Sequence, residues 1–219
     1  MTPERYQRIR EVLAQRTTDL TVLMEQVNKP HNFSAIVRTC DAVGVGVAHA
    51  VIPAGSKLGV QHYAAGGSAA WVDVKSHDTV ESAATQLKAS GFRIIAAHRS
   101  QSSVPLTDVD LTRPVAVMVG AELDGISGSG LSLADEVVEI PMSGMVGSLN
   151  VSVATAVILY EALRQRKAHS SYQPTRLSKA EQDRLAIEWS YPKITAICRK
   201  KGLPYPDLDD QGYLIGSTG

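Results

Sequence analysis

The sequence predicts an α/β protein in which a parallel sheet is covered by helices on both faces, with short helical extensions at the two ends of the chain. Three observations predict it. Stretches that read as strands alternate with stretches that read as helices. The strand stretches, such as 115–119, are continuous apolar runs, as expected where both faces of a sheet are buried. Three loops, at 97–99, 120–125 and 141–150, follow such runs at the carboxyl ends of strands, where open parallel sheets bind ligands.

The elements follow in order. Thr2 and Pro3 form a cap and a first-turn proline, and Tyr6, Ile9, Val12 and Leu13 recur at helical spacing, so 1–16 is a helix with its arginines mainly off the apolar stripe. The first strand is 20–24. A break at 28–32 precedes a helix over 34–43, which Gly44 ends. A second strand, 47–52, is closed by Pro53. Residues 54–70, rich in Gly, Ala and Ser, read as a loop. A short strand at 71–74, a helix at 78–90 capped by Asp78, and strands at 92–97 and 115–119 follow. A helix at 131–135 and a last strand at 137–140 lead to Pro141, which removes a backbone donor and stops the strand.

The stretch from Ile140 to Ala154 is the centre of the chain. Gly144 and Gly147 let the backbone bend and approach a ligand closely. Ser148 and Asn150 stand where helix caps belong, and 150–167 is a helix, apolar as far as Tyr160 and basic beyond it. Taken alone this is an ordinary strand-to-helix turn; beside the other two loops it becomes one wall of a small-molecule site. Ser178 and Glu181 have capping-box spacing, and Leu185, Ile187 and Trp189 give that helix a modest apolar set. A helix at 192–201 ends at Gly202, and residues from about 206 onward are expected to be weakly ordered. The expected division is an extension at 1–17, a main domain at 18–167, and an extension with a tail at 168–219.

Composition bounds the class. In 219 residues, 44% hydrophobic, no apolar run approaches the roughly 20 residues of a membrane span. The N-terminus is charged from Glu4, unlike a secretory signal. The two cysteines, Cys40 and Cys198, have no metal-ligand spacing and read as free thiols, so the protein is expected to be cytoplasmic. The net charge is zero but unevenly spread. Residues 161–201 carry ten Lys or Arg against four acids, and 17–160 carry eight against thirteen. An acidic body with basic ends points to a polyanion held by the ends. No Gly-x-Gly-x-x-Gly, Walker A or Gly-x-Ser-x-Gly motif is present, which disfavours a nucleotide-linked oxidoreductase. The six histidines are scattered, and no metal site is expected.

Three ordered groups carry a resemblance: Asn32, Arg38, Asp41 and Gly44; then Gly120, Glu122, Gly125 and Ile126; then Ile140-Pro-Met with Ser148-Leu-Asn-Val-Ser-Val-Ala154. They resemble the three motifs of the SpoU/TrmH family of SPOUT methyltransferases, over about residues 20–165. The flanks, including 1–16, 24–32 and 201–206, resemble those of the bacterial members that methylate the 2′-oxygen of guanosine 18 in tRNA.

The resemblance implies a deep C-terminal trefoil knot, otherwise nearly absent from proteins, a homodimer through the knot region, and bound S-adenosylmethionine. It implies cofactor contacts at Ala97, Gly120, Ile140, Met142 and Leu149, with only a backbone contact at Ala97. It implies catalytic roles for Arg38, Asn32, Glu122, Ser148 and Asn150. With tRNA as partner, Arg5, Arg8, Arg10, Arg164, Arg166, Lys193, Arg199, Lys200 and Lys201 become candidate phosphate contacts. Methyl transfer from a sulfonium to a ribose oxygen needs positioning rather than a metal. The residues agree: Ile140, Met142 and Leu149 offer an apolar slot for an adenine. The alternatives are an rRNA 2′-O-methyltransferase of the same family and a non-catalytic RNA-binding factor on the same scaffold.

Overall fold

Apolar runs and capping residues set the elements of the computed structural model, which describes residues 1–52, 70–169 and 176–215. The chain divides into two compact units, Thr18–Pro174 and a helical unit of Met1–Thr17 with Thr175–Gly219.

In the larger unit seven parallel strands form one sheet. They are β1 (Leu20–Glu25), β2 (Val47–Val51), β3 (Asp73–His77), β4 (Arg93–Ala97), β5 (Val104–Pro105), β6 (Val115–Val119) and β7 (Glu136–Glu139). Their order is β3-β2-β1-β6-β4-β7-β5. The described helices are α2 (Pro30–Val43), α3 (Val80–Ala89), α4 (Gly128–Leu133) and α5 (Val151–Ala168), α1 being the N-terminal helix Pro3–Gln15.

Alternation along the strands makes two cores. Val22 and Met24 of β1 and Val115, Val117 and Val119 of β6 face Phe33, Ile36 and Val37 of α2 and Ile158, Leu159 and Ala162 of α5. Leu23, Ala116 and Met118 face Val80, Ala83, Ala84 and Leu87 of α3 on the other side. Layers on both faces explain why the central strands read as apolar runs.

Several boundaries differ from the sequence reading. Helix α2 starts at Pro30, so Asn32 lies in its first turn; a first-turn proline has no helical N–H to lose. Strand β3 is 73–77 rather than 71–74. It pairs with β2 from Val47–Asp73 to Val51–His77, and as a polar edge strand it shows no apolar run. Thr79, not Asp78, caps α3 and accepts the Ser82 N–H at 3.1 Å. The two-residue edge strand β5, with its proline, was not expected. Helix α4 lies at 128–133 rather than 131–135 because Ser127 caps it, accepting the Gly130 N–H at 2.9 Å. The loop expected at 54–70 lies outside the described residues but for its last position.

The helical unit holds α1, α6 (Lys179–Ser190) and α7 (Pro192–Lys201). Ile9 and Leu13 of α1 pack on Ala186, with Leu185 and Trp189 alongside. The expected capping box at Ser178 and Glu181 is formed. The expectation of weak order from 206 does not hold for residues 206–215. Leu208 and Leu214 form an antiparallel bridge, and the Tyr191 hydroxyl donates to the Gly212 carbonyl at 2.9 Å. Tyr6 packs so closely that a Cβ at Gly212 would meet its ring at 2.3 Å. Cys40 and Cys198 are both buried and are not joined in a disulfide. No described helix is long and apolar enough to cross a membrane.

The β2–β3 edge carries a pH prediction. His49 Nδ1 and His77 Nε2 stand 2.9 Å apart with stacked rings. Burial, and then the neighbouring His77 and Lys75, lower the His49 pKa to about 4. A histidine whose folded pKa is depressed contributes stability above its unfolded pKa and loses it as pH falls. The loss should run from about pH 6.5 to about pH 4 and reach about 2–3 kcal/mol. Urea midpoints measured across that range should fall more steeply for the native chain than for His49→Gln.

Candidate active site

A cleft of about 460 Å³ opens at the carboxyl ends of β4, β6 and β7, a volume that suits a small organic ligand. Its walls come from the three loops singled out in the sequence. Ala97, Gly120, Ile140, Met142 and Leu149 all line it, as do Glu122, Ser148 and Asn150. Val138, Val151 and Ala154 extend the apolar side.

The loop after β6 is a tight hairpin. Ala121 and Gly125 exchange N–H to carbonyl bonds at 3.0 Å each, and Gly125 takes a left-handed φ of 68°. Gly120 has no room for a side chain, because a Cβ would meet the Gly125 carbonyl carbon at 2.1 Å and the Ile126 nitrogen at 2.3 Å. Gly120→Ala should therefore force the hairpin open and destabilise the fold by about 1–3 kcal/mol. Gly144→Ala, whose Cβ would meet nothing within 4 Å, should change stability by less than about 0.5 kcal/mol. Urea titration of the two variants checks the contrast.

Asn32 does not line the cleft but ties two of its walls together. Its Nδ2 donates to Glu122 Oε1 at 2.5 Å, and its Oδ1 accepts from Asn150 Nδ2 at 3.1 Å. Asn32 is 1% exposed, so this chain of side chains is shielded and its geometry is held by packing. Asn150 also caps α5, its Oδ1 accepting the Ser152 N–H at 2.8 Å. The start of α5, the β6 hairpin and the first turn of α2 are thereby fixed to one another.

Arg38 lies apart from the cleft lining. It is six residues beyond Asn32 on α2, roughly 9 Å along the helix axis, and its side chain is exposed. Among the described residues no group of three His, Cys, Asp or Glu is placed to hold a metal ion.

The SpoU rRNA methylase family model matches residues 19–160, which carry the sheet and all three loops. This chain belongs to the SpoU methylase family. A second model, the C-terminal region of SpoU rRNA methylases, matches 164–217. The tRNA (guanosine(18)-2′-O)-methyltransferase of Escherichia coli K12 is 51% identical over 216 residues, 98% of this chain and 94% of that protein. The solved Aquifex aeolicus TrmH/SpoU tRNA modifying enzyme superposes with a TM-score of 0.78 at 42% identity, covering 87% of this chain and 97% of that one. The SpoU methyltransferase AviRb of Streptomyces viridochromogenes, solved in complex with the cofactor AdoMet, has a TM-score of 0.61 at 26% identity, covering 72% of this chain and 62% of that one.

Sequence reading of this SpoU chain missed several residues around the site. Lys29 and Glu139 line the cleft from outside the expected loops, and His98, Arg99 and Asp124, which lie in those loops but were assigned no role, line it too. Their position at strand ends was the available signal, since ligands meet whatever side chains stand there. Glu25 was missed too. It is 3% exposed at the end of β1, and its carboxylate accepts the Ser127 hydroxyl at 2.6 Å and the Ser127 N–H at 3.0 Å. It thereby anchors the chain just beyond the β6 hairpin.

Among the basic residues expected at an RNA surface, Arg166 is corrected by the structure. It is 5% exposed, and its guanidinium donates to Asp19 Oδ1 at 2.5 Å and to the carbonyls of Leu111, Asp19 and Arg113 at 2.9–3.0 Å. A phosphate cannot reach it. Arg5, Lys193, Lys200 and Lys201 are exposed. Arg8, Arg10, Arg164 and Arg199 pair with Glu11, Asp183, Glu161 and Glu188. Ion pairs at or near the surface are weak enough to exchange for a phosphate.

Proposed function

We propose that this chain transfers a methyl group from S-adenosylmethionine to the 2′-oxygen of guanosine 18 in the D-loop of tRNA. The observation that carries the reading is the convergence of three strand-end loops on one cleft, two of them carrying motif residues, with Asn32 of the first motif tied to both through the Glu122–Asn32–Asn150 chain. The identity to the Escherichia coli enzyme supports the choice of substrate.

The cleft fits the donor. Ile140, Met142 and Leu149, with Val138, offer an apolar wall for an adenine, and the bare Gly120 lets backbone approach it. The donor supplies an electrophilic methyl group on a sulfonium. The protein holds the 2′-oxygen in line with the methyl–sulfur bond, which breaks as the oxygen–carbon bond forms, and the hydroxyl proton leaves to solvent. Positioning of this kind supplies roughly 7–11 kcal/mol of barrier lowering. Arg38 holds the neighbouring phosphate and polarises the hydroxyl; a guanidinium keeps its proton and does not serve as the base. Ser148 and Asn150 order the glycine loop, and Glu122 keeps Asn32 in place.

A homodimer, with the family's trefoil knot in the C-terminal part of residues 18–167, completes the reading. Val153, Val157 and Tyr160 recur at 3–4 residue spacing along α5 and are 47%, 39% and 53% exposed, an apolar stripe suited to a second copy. The position of Arg38 outside its own cleft fits a site finished at that interface. The extensions, 1–17 and 168–219, grip the tRNA through their exposed bases.

The test is transfer of labelled methyl from S-adenosylmethionine to separate tRNA and rRNA pools, followed by mapping of the modified nucleotide. Label at guanosine 18 of tRNA is expected. Label confined to rRNA makes this a ribosomal enzyme, and no label in any RNA leaves an RNA-binding scaffold.

A further inference from the structure

Several bases in the larger unit are committed to carboxylates. Lys88 pairs with Asp135 at 2.8 Å, Arg93 with Glu136 at 3.2 Å and Arg113 with Asp110 at 3.2 Å. Lys29 and Arg99 differ, because both line the cleft. Among the described residues the Lys29 ammonium and the His98 ring have no side-chain hydrogen bond or ion pair. Arg99 is 67% exposed and touches the Gly147 carbonyl at 3.4 Å through Nη1, with Glu139 4.0 Å from its Nε. Glu139 is itself occupied by the Ser103 hydroxyl at 2.9 Å, so most of the guanidinium's donors face outward. Asp124, also in the lining, sits on the exposed tip of the β6 hairpin.

Glu122, the acid deeper in the hairpin, takes its hydrogen bond from Asn32. Of the three lining acids, Glu122 and Glu139 accept bonds from Asn32 and Ser103 and Asp124 lies out on the hairpin tip, while the cations keep spare donors. Three donor side chains around one opening, in a unit of acidic balance, call for an anionic group outside the protein.

We infer that Lys29, His98 and Arg99 form a phosphate-receiving rim, taking a phosphodiester of the RNA strand that carries the target ribose. This rests on the RNA methyltransferase reading and adds a contact on the same protomer as the cleft. Arg99 is the centre of the rim. Its bond to Gly147 couples the seated backbone to the glycine loop, so the strand enters against a fixed edge.

The experiment compares Lys29→Ala, Arg99→Ala and Arg99→Glu with the native chain and with Arg113→Ala, a paired base outside the cleft lining. Steady-state constants are measured with a tRNA transcript over a salt series, and donor affinity is measured by calorimetry without RNA. The rim predicts that each alanine raises KM for RNA about 3–10-fold and lowers the slope of its logarithm against log salt by about one. Arg99→Glu should raise KM further, while kcat, donor affinity and Arg113→Ala stay within about twofold. Weakened donor affinity with unchanged KM for RNA would overturn the proposal and give the rim to the donor's carboxylate. Unchanged constants in every variant would overturn it as well. A native chain that binds donor and methylates no RNA would instead remove the underlying function.

Discussion

Arg38→Ala should keep methyl-donor affinity within about twofold of the native chain and lower turnover by at least about a hundredfold, the scale of removing one group that stabilises charge in a transition state. The separation follows from position. The cleft is lined by residues of the β4, β6 and β7 loops, by Lys29 and by the start of α5, and Arg38 is not among them. Its side chain is exposed on the middle of α2, where alanine is a good helix former, so the fold should tolerate the change. What disappears is a planar, permanently charged fork able to hold a phosphate oxygen and a hydroxyl together. Arg38→Lys keeps the charge without the fork and should recover only part of the rate. Single-turnover methylation, with calorimetry of donor binding, separates the two effects. A loss of donor affinity as large as the loss of rate would make Arg38 part of the donor site instead.

The central architecture was readable because buried parallel strands leave apolar runs, unbroken in β6 and interrupted only by Thr21 and Glu25 in β1 and by Arg93 in β4. The sequence hid what lies at the edges. Strand β3 is exposed except for the half-buried Val74 and His77, and β5 is two residues with a proline, so neither presents a run. Helix α4 was displaced because Gly128 and Gly130 look like helix breakers. Gly130 is required there, since a Cβ would stand 2.7 Å from Glu25 Oε2.

Around the site, residues in motif loops were legible and the contacts between loops were not. That Asn32 bridges Glu122 and Asn150 depends on three segments widely separated in sequence. Arg166 was read as part of a basic cluster with Arg164 and Lys167. Helical spacing contained the better signal. Thr155, Leu159, Ala162 and Arg166 follow one another at 3–4 residues, and all four are buried, so Arg166 continues the inner stripe of α5. Charge type outweighed periodicity in the reading, and the structure reverses that weight.

Arg166→Ala should accordingly act on stability rather than on RNA affinity, with a loss of about 3–5 kcal/mol. Helix α5 begins at the cleft with Asn150 and reaches Arg166 roughly 24 Å further along its axis. There the guanidinium meets Asp19, just before β1, and the Leu111 and Arg113 carbonyls, just before β6. It pins the starts of two central strands to the end of the helix whose cap, Asn150, lines the cleft. Alanine would take the guanidinium away from the buried Asp19 carboxylate, 7% exposed, and take that donor from the carbonyls. Breaking one side of a buried pair is more damaging than replacing both, so Asp19→Asn with Arg166→Met should be better tolerated than either change alone. Urea unfolding of the single and double variants measures this coupling. The native-like fraction of Arg166→Ala, assayed in stabilising osmolyte, should bind tRNA with the native salt slope; a slope reduced by about one would return Arg166 to the RNA surface.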